Sequence, residues 1–374
     1  MLALTNARII TMEDVDYDKG TILIKDGEIL AIGENIEIPK NYEILDVNGK
    51  YILPGFIDAH THIGIIEEIY QIEGDDVNEI TDPITPALRA MDGVNPYDIG
   101  FDDAIAGGVT TVMVAPGSAN VIGGLVCILK TGGETLADKL INSEAGLKIA
   151  FGENPKSVYG EEKKMPYTRM ASISLLRETF IEGINYLNKE DQERDLQNEA
   201  IAKVLNKEIP LRAHAHRADD ILAALRVAKE FDLKIIIEHA TEGHKIIKEL
   251  KKENVSVVVG PSLGNRSKVE LRESSFKTPG ILAKENIEVA LTTDHPETPI
   301  QYLNICAALA VREGMLEKEA LKAITINPAR ILGIDKKVGS LKVGKQADVV
   351  IWNNHPLNIM SKPQSVYIRG KKFL

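Results

Sequence analysis

The sequence contains only two cysteines, Cys127 and Cys306, which lie far apart inside apolar runs. Neither a disulfide framework nor a Cys-x-x-Cys metal site can be built from them, so we expect a reducing compartment. The chain also lacks any run of about 18 apolar residues, and its N-terminus has neither a basic leader nor a small-residue cleavage site. These absences predict a soluble cytoplasmic protein that does not bind a membrane.

Positive charge is also scarce, because 44 lysines and arginines stand against 55 aspartates and glutamates, for a formal net charge of −11. This balance argues against nucleic acid or an anionic membrane as a main partner and favours small-molecule substrates. The 374 residues, 44% of them hydrophobic, are enough for one large domain and a smaller one. We expect the chain to form a homo-oligomer.

The chain divides into three sections by pattern. Residues 1–52 and 336–374 contain short strand-like runs with turn signals such as Asp26-Gly27. Neither section can bury two sheet faces alone, so we predict that they pack together as one small discontinuous β-sandwich domain. Residues 53–335 alternate apolar strand runs with amphipathic segments, which is typical of βα units and a parallel sheet.

The middle section contains eight candidate strands, the number that closes a (β/α)8 TIM barrel. They are residues 52–58, 109–115, 125–129, 147–151, 211–215, 234–238, 255–259 and 287–292. Residues 219–231 begin with two aspartates and carry apolar side chains on one face, which predicts a helix of the barrel wall. The acidic stretch 67–82 is predicted to be a loop that borders the barrel mouth. The fold class is therefore predicted as α/β, a TIM barrel flanked by the β-sandwich.

Two pairs of histidines separated by one residue, His60 with His62 and His214 with His216, lie at the ends of predicted strands. Eight histidines in 374 residues would give only about 0.2 such pairs by chance. Because side chains alternate along a strand, both members of each pair lie on the same face. Each pair could therefore share a metal ion.

Two further residues extend this pattern to other strands. His239 closes the sixth predicted strand and Asp294 follows the eighth, with His295 beside it. Active sites of TIM barrels gather at the C-terminal ends of the strands. A structural role would explain any one of these histidines. It is a poor explanation for five or six of them at the same end of the barrel, because they would all have to lie there by chance. Several imidazoles with one carboxylate, leaving coordination positions of the ion open, suit a catalytic Zn, Fe, Mn, Co or Ni ion.

The motif Pro54-Gly-Phe-Ile-Asp-Ala-His-Thr-His62 resembles the first-strand signature of the amidohydrolase superfamily. Further segments similar to this superfamily are residues 106–111, 325–333 and 338–348, and residues 117–124 and 152–156 resemble its imidazolonepropionase-related branch. The resemblance covers nearly the whole chain. It implies a metal-dependent hydrolase of carbon–nitrogen bonds with one or two divalent ions, of which zinc is favoured.

The resemblance also implies roles for particular residues. The implied ligands are His60 and His62 on the first strand, His214 on the fifth, His239 on the sixth and Asp294 on the eighth. Members with two ions carry in addition a carboxylated lysine on strand four or a glutamate on strand three. Lys148 begins the predicted fourth strand, which is the wrong end for the mouth. Lys130 ends the third strand and Glu153 ends the fourth, so either could bridge two ions, and a plain salt bridge is the alternative for Lys130.

The implied mechanism uses water as the nucleophile, because a divalent ion lowers the pKa of bound water towards about 7. Asp294 would accept the proton of this water as general base and return it to the leaving nitrogen as general acid. His239 would bind a second ion or polarise the substrate carbonyl. Candidate substrate contacts are His216, Asn120 and Arg169, whose planar guanidinium suits a carboxylate. Structural roles are the alternative for all three.

Two other functions stay open. The first is a one-metal imidazolonepropionase-like ring hydrolase or a deaminase. Deaminating members of the superfamily carry a glutamate three residues after the fifth-strand histidine, where this chain has Arg217, which moves the prediction towards amide or cyclic amide hydrolysis. The second is a non-catalytic relative that keeps the barrel for assembly. The complete ligand set argues against it.

Overall fold

The computed structural model describes residues 1–69, 71–191 and 193–374. The first five strands are β1 (Leu2–Ile9), β2 (Tyr17–Lys25), β3 (Glu28–Gly33), β4 (Glu43–Asp46) and β5 (Tyr51–Pro54). β1 pairs antiparallel with β2, and its two halves pair in parallel with β4 and with β5. These strands therefore form one sheet around β1.

The next eight strands form a second sheet. They are β6 (Phe56–Thr61), β7 (Val109–Val114), β8 (Ile122–Lys130), β9 (Leu140–Ala150), β10 (Leu211–Ala215), β11 (Ile235–His239), β12 (Val257–Val259) and β13 (Val289–Leu291). Seven of them share one direction, whereas β8 runs antiparallel to both β7 and β9. The segment after β13 bonds to β6, because Thr292 Oγ1 donates to His60 O at 2.6 Å and His62 N donates to His295 O at 2.8 Å. The sheet is therefore a nearly closed barrel.

The last three strands, β14 (Val349–Trp352), β15 (Pro363–Ile368) and β16 (Lys371–Lys372), return to the first sheet. β14 pairs antiparallel with β5, which gives the strand order β16-β15-β14-β5-β1-β2-β3. Leu4, Ile52 and Val349 lie in its shared apolar core. The two ends of the chain thus build one separate sheet beside the barrel. The boundary predicted after residue 52 falls inside β5.

Helices connect the strands and cover the barrel. They are α1 (Ala90–Gly93), α2 (Gly100–Ala106), α3 (Leu136–Lys139), α4 (Glu153–Glu161), α5 (Arg169–Leu187), α6 (Leu196–Leu205), α7 (Ala218–Glu230), α8 (Ile247–Lys252), α9 (Lys277–Lys284), α10 (Leu303–Arg312), α11 (Glu317–Lys322) and α12 (Ile326–Ile331). α7 corresponds to the helix predicted at 219–231, with two aspartates in its first turn and an apolar buried face. Over the described ranges, no helix combines the length and apolarity needed to cross a membrane.

The barrel departs from a regular (β/α)8 repeat at its beginning. The strand predicted at 52–58 is two strands, β5 in the terminal sheet and β6 in the barrel. Gly55 separates them, and a Cβ there would lie 2.1 Å from Thr110 Oγ1. The strand predicted at 125–129 lies within β8, whose connection to β7, residues 115–121, is shorter than the dozen or so residues that a parallel crossover needs. The predicted mixed α/β fold is confirmed, and the prediction of a parallel third strand is wrong.

Candidate metal centre

Five residues predicted as ligands come together at the C-terminal ends of the barrel strands. His60 lies on β6 with His62 just after it, His214 lies on β10, and His239 is the last residue of β11. Asp294 follows β13, and all except the slightly more exposed His62 are buried. Two groups of three residues could each hold a metal ion, because the possible ligand atoms within each group all lie within 4.8 Å of one another. The first group is His60, His239 and Asp294, and the second is His214, His216 and His239.

Groups behind three of these imidazoles fix their orientation. The Nδ1 atom of His62 lies 2.7 Å from Ala115 O, and that of His239 lies 2.7 Å from Gly260 O. The Nδ1 atom of His60 lies 3.1 Å from Glu238 Oε2. Carbonyl oxygens and carboxylates only accept hydrogen bonds, so each Nδ1 carries a hydrogen, and in the neutral ring each Nε2 presents a lone pair. Such backing groups are what hold histidines in position around metal ions.

The lone pairs converge with a carboxylate oxygen. Asp294 Oδ1 lies 3.3 Å from His60 Nε2 and 3.4 Å from His62 Nε2. Within the described parts of the chain, Asp294 Oδ1 has no hydrogen-bond partner. Ligand atoms at about 2.0–2.2 Å from a tetrahedral Zn²⁺ lie roughly 3.3–3.6 Å from one another. The chemistry and spacing of these three atoms therefore fit a divalent cation.

The charge states of the surrounding groups agree with this fit. Burial lowers the pKa of His214 and of His239 well below the usual value, so their rings are neutral at pH 7. Burial alone would raise the pKa of Asp294, but His239 and the contacts with His60 and His62 outweigh it and hold the pKa well below its usual range. The centre therefore combines the neutral rings of His214 and His239 with an ionised carboxylate.

A buried ion pair lies behind His60. Glu238 Oε1 is 2.5 Å from Arg212 Nε, and Arg212 Nη2 donates to Ala59 O at 2.8 Å. Burial and Lys148 lower the pKa of His60, but Glu238 and Asp294 raise it more, so the net pKa is raised. Glu238 and Asp294 thus favour a positive charge on or beside the His60 ring. The sequence analysis missed Arg212 and Glu238, although a charged residue inside an apolar strand is a usable signal.

Lys148 also reaches the centre. Its Nζ lies 3.3 Å from His60 Nε2, and burial lowers its pKa to about 8. β9 extends from Leu140 to Ala150, and Ala150 lies opposite His214 in register. The prediction that Lys148 lies at the wrong end is therefore wrong, because 148 is near the end of a long strand rather than the beginning of a short one.

Two candidate ligands have left-handed backbone conformations, with φ of 70° at His239 and 53° at Asp294. Such conformations cost about 1–3 kcal/mol in non-glycine residues and cluster at functional sites. Consecutive strand residues normally face opposite sides, but the turn at His239 lets this ring join the candidate ligands while Glu238 contacts His60 from behind. At Asp294, Thr292 Oγ1 accepts the backbone N–H at 2.9 Å and so stabilises the left-handed conformation.

Lys130 lies at the opposite end of the barrel. Because β8 runs antiparallel to β7, its last residue, Lys130, pairs with Thr111 near the start of β7. The Lys130 ammonium forms a buried ion pair with Asp348. The structure therefore does not bring Lys130 to the ligand cluster, since that prediction depended on a parallel third strand. Glu153, the other bridging candidate, begins α4.

Two predicted substrate contacts are engaged elsewhere. Asn120 Nδ2 donates to Glu79 O at 2.6 Å and to Asp82 O at 2.8 Å, which fixes the loop that follows β6. Arg169 Nε and Nη2 bind both carboxylate oxygens of Asp220 at 2.6 and 2.8 Å. Among the described residues, neither Asn120 nor Arg169 lines the cavity at the centre.

A cavity of about 300 Å³ opens onto the ligand cluster, which is a size suited to a small molecule. Its lining includes His62, His214, His216, His239, Asp294, Asn78, Ser118, Asn154, Lys268 and Glu297. Val77 and Asn78 belong to the acidic stretch 67–82, so this stretch borders the cavity, and Tyr70 within it lies outside the described residues. A larger cavity of about 610 Å³ lies near the start of β13, at the other end of the barrel from the ligand cluster.

A sequence profile of the amidohydrolase family matches residues 51–372. The chain belongs to the amidohydrolase family. Membership supports a hydrolase activity on amide or other carbon–nitrogen bonds of small molecules, and metal dependence in general, as the sequence predicted. The cytoplasmic location and the homo-oligomer stay predictions.

Relatives are found among both sequences and structures. This amidohydrolase is 27% identical to the amidohydrolase tasK of Hapsidospora irregularis over 94% of this chain, but it spans only 39% of that relative's length. It is 26% identical to the imidazolonepropionase of Sphingopyxis alaskensis, over 93% of this chain and 91% of the relative. The crystal structure of an amidohydrolase from Thermotoga maritima MSB8 matches all of both chains with a TM-score of 0.97 and 43% identity. The resemblance to the imidazolonepropionase-related branch is confirmed.

Proposed function

We propose that this amidohydrolase uses one or two divalent ions, zinc foremost, to hydrolyse an amide or cyclic amide bond of a small molecule. The observation that carries the proposal is the convergence of His60 Nε2, His62 Nε2 and Asp294 Oδ1 at 3.3 and 3.4 Å. Three acceptor atoms at this spacing, in a largely buried centre, repel one another unless a positive charge lies among them.

His60, His62 and Asp294 would hold one ion, with His214 and His239 beside it. An ion bound there lowers the pKa of a water molecule enough for it to attack a carbonyl near neutral pH. Lys148 is a strand-four lysine, like the carboxylated lysine that bridges the ions in two-metal members of the superfamily. Its distance of 3.3 Å from His60 Nε2 supports this place for it.

Asp294 has the position and charge for proton transfer. Its Oδ1 faces His60 and His62, and its Oδ2 lies on the side of His239, 3.9 Å from Nδ1. Because its pKa is held low, the carboxylate is ionised and can accept a proton from the attacking water. It then gives this proton to the leaving nitrogen as the C–N bond breaks.

His239 and His216 differ in what their rings can do. His239 Nδ1 donates to Gly260 O, which leaves Nε2 without a hydrogen and supports a role as ion ligand rather than as donor to a substrate carbonyl. The ring of His216 stacks on that of His239, with centroids 4.5 Å apart, and lines the cavity. This position supports contact between His216 and the substrate.

Ring hydrolysis of the imidazolonepropionase type is the second candidate. Identity of 26% to an imidazolonepropionase over 93% of this chain favours it. Arg217, which occupies the place of the glutamate of deaminating members, pairs with Asp219 at 2.8 Å. An arginine at this position disfavours deamination, because its side chain cannot carry protons to a ring nitrogen as the glutamate does.

The test combines metal analysis with a substrate screen. Purified protein would be stripped with a chelator, reloaded with Zn²⁺ or Mn²⁺, and assayed on N-acyl amino acids, dipeptides, hydantoins and imidazolones. We expect hydrolysis that disappears on stripping and returns with the ion. A substrate cleaved at an unchanged rate by metal-free protein would overturn the proposal, and cleavage of imidazolones alone would select the second candidate.

A further inference from the structure

Glu270 is a buried carboxylate that the reaction proposed above does not use. It lies in the 3-10 turn Val269–Leu271 after β12 and is 1% exposed. Its Oε2 accepts the N–H of Glu153 at 3.1 Å. Its Oε1 is completely buried and has no hydrogen-bond partner in the ranges that the structure describes. One oxygen is thus anchored by the backbone while the other is available to a ligand.

The available oxygen points at two histidines of the metal centre. Glu270 Oε1 lies 3.7 Å from His214 Nε2 and 3.9 Å from His216 Nε2. Both ring nitrogens of His214 lack hydrogen-bond partners in the described parts of the chain. At these distances the carboxylate forms no direct hydrogen bond to either ring. A buried carboxylate oxygen without a hydrogen-bond partner is costly unless a cation lies between it and the rings.

The loop after β9 is shaped to allow this arrangement. Gly152 has a φ of 87°, and a Cβ on it would lie 2.9 Å from Glu270 Oε2. Glycine adopts such a backbone at no steric cost and lets the following N–H, that of Glu153, reach the carboxylate. Groups that hold metal-binding carboxylates in this way are a regular part of metal sites.

We propose that Glu270 is a ligand of a divalent cation that it shares with His214, His216 and His239. The inference rests on the proposed function in so far as the centre binds metal. It adds Glu270 to the ligands assigned above and assigns His216 to the ion in place of the substrate contact. Three imidazoles and one carboxylate are a suitable set for Zn²⁺ or a similar ion. The distances of 3.7 and 3.9 Å exceed the roughly 3.3–3.6 Å spacing of tetrahedral ligands only slightly, so small side-chain movements complete the site.

An ion suits this position better than a substrate group does. Glu270 Oε1 exposes almost no surface, whereas its neighbours Lys268 and Leu271 line the cavity. A substrate would therefore meet these neighbours before it could reach the carboxylate. An ion needs no such access once it has bound between the rings and the oxygen.

The variant Glu270→Gln separates metal binding from folding. Its amide oxygen can still accept the Glu153 N–H, while its amide NH₂ replaces Oε1 and can donate to His214 or His216. Metal-free Glu270→Gln should therefore melt at or above the temperature of metal-free wild type. The matched control is Glu273→Gln, three residues along the same loop, where the carboxylate is half exposed and pairs with Lys245.

Zinc binding would be measured by calorimetric titration of stripped full-length protein, with bound zinc counted by elemental analysis. We expect Glu270→Gln to lose one zinc per chain or to bind it at least about 100-fold more weakly, which is the upper end of losses caused by groups one step removed from the metal. Its zinc-induced rise in melting temperature should shrink, whereas Glu273→Gln should match wild type.

Zinc stoichiometry and affinity equal to wild type in Glu270→Gln would overturn the inference. If that variant does not fold without metal, His216→Asn replaces it and should weaken the same binding step, and wild-type affinity there would be equally decisive. Failure of the proposed function gives another pattern, in which wild type binds no zinc or His60→Asn binds it as well as wild type. Wild-type zinc binding that only the His60 change weakens would reject the role of Glu270 alone.

Discussion

The two ends of the barrel treat buried charge in opposite ways. At the base, the Lys130 ammonium is paired with Asp348, whose second oxygen accepts the N–H of Arg369 at 2.9 Å. At the mouth, Asp294 Oδ1 and Glu270 Oε1 have no hydrogen-bond partners within the described residues. Each unsatisfied buried polar atom costs about 1–3 kcal/mol. The base is therefore arranged for stability, and the mouth is arranged for a ligand that the protein itself does not supply.

The largest effect that this comparison predicts is at the base. Lys130→Met leaves the Asp348 carboxylate buried without its partner, so the free energy of unfolding should fall by about 3–5 kcal/mol. Urea unfolding followed by circular dichroism measures this loss. The zinc bound per folded chain should not change, because Lys130 lies away from the ligand cluster. Stability equal to wild type would remove the contrast between the two ends.

At the mouth, the largest effect is predicted for Asp294→Asn, which keeps the size of the side chain and removes the base. With an identified substrate, kcat should fall by about 100-fold or more, the scale of lost general acid–base catalysis. Bound zinc should fall less than in His60→Asn, because the histidine ligands remain. A wild-type kcat with the metal intact would assign the proton transfer to another group, of which the neighbouring His295 is the first candidate.

The convergence of the candidate ligands could be predicted from the sequence because they lie at strand ends. The pairs His60 with His62 and His214 with His216 keep their spacing whatever the exact limits of the strands, so small errors in those limits did not matter. The joining of the two chain ends followed from sheets too small to stand alone. Both predictions use only the order of residues along the chain and the shared direction of neighbouring parallel strands.

The wrong predictions were those that depended on the direction or the length of a strand. The reversal of β8 moved Lys130 to the base, and the shortness of residues 115–121 was a signal for this reversal. The prediction for Lys148 failed because β9 begins at Leu140 rather than at residue 147, and the polar first half of this strand gives no apolar pattern from which its start could be located. Glu270 lies in a polar loop with no periodic pattern. Only the folded chain brings it to His214.

A smaller effect should distinguish the two buried lysines. Lys148→Met removes a cation at the mouth, where its partners are also candidate metal ligands, so the stability of the metal-free protein should change less than in Lys130→Met. Binding of the weaker zinc ion should drop by about 10- to 100-fold if Lys148 supports the second ion. Urea unfolding and calorimetric titration of the two variants side by side would measure both quantities. Equal stability losses with unchanged zinc binding would show that both lysines are structural.

The smallest effect concerns the acidic stretch 67–82, which contributes Val77 and Asn78 to the cavity wall. Asp75, Asp76 and Glu79 are exposed there, so each contributes a weak, screened field at the mouth. Changing all three to Asn or Gln should lower KM for anionic substrates by about three-fold, because three exposed charges at the low end of about 0.2–1 kcal/mol each add up to roughly 0.6 kcal/mol. KM for neutral substrates should not change.

The control for this variant is a triple change at Asp14, Asp18 and Glu34, exposed acids of the terminal sheet that alter the net charge equally. It should leave KM unchanged, because charges well beyond a Debye length of about 8–10 Å are screened. Raising the salt concentration should abolish the difference between the loop variant and wild type. If the two triple variants behave alike, net charge alone acts on the substrate. If neither changes KM, the loop borders the cavity without selecting what enters, and selection belongs to the deeper lining residues such as Lys268.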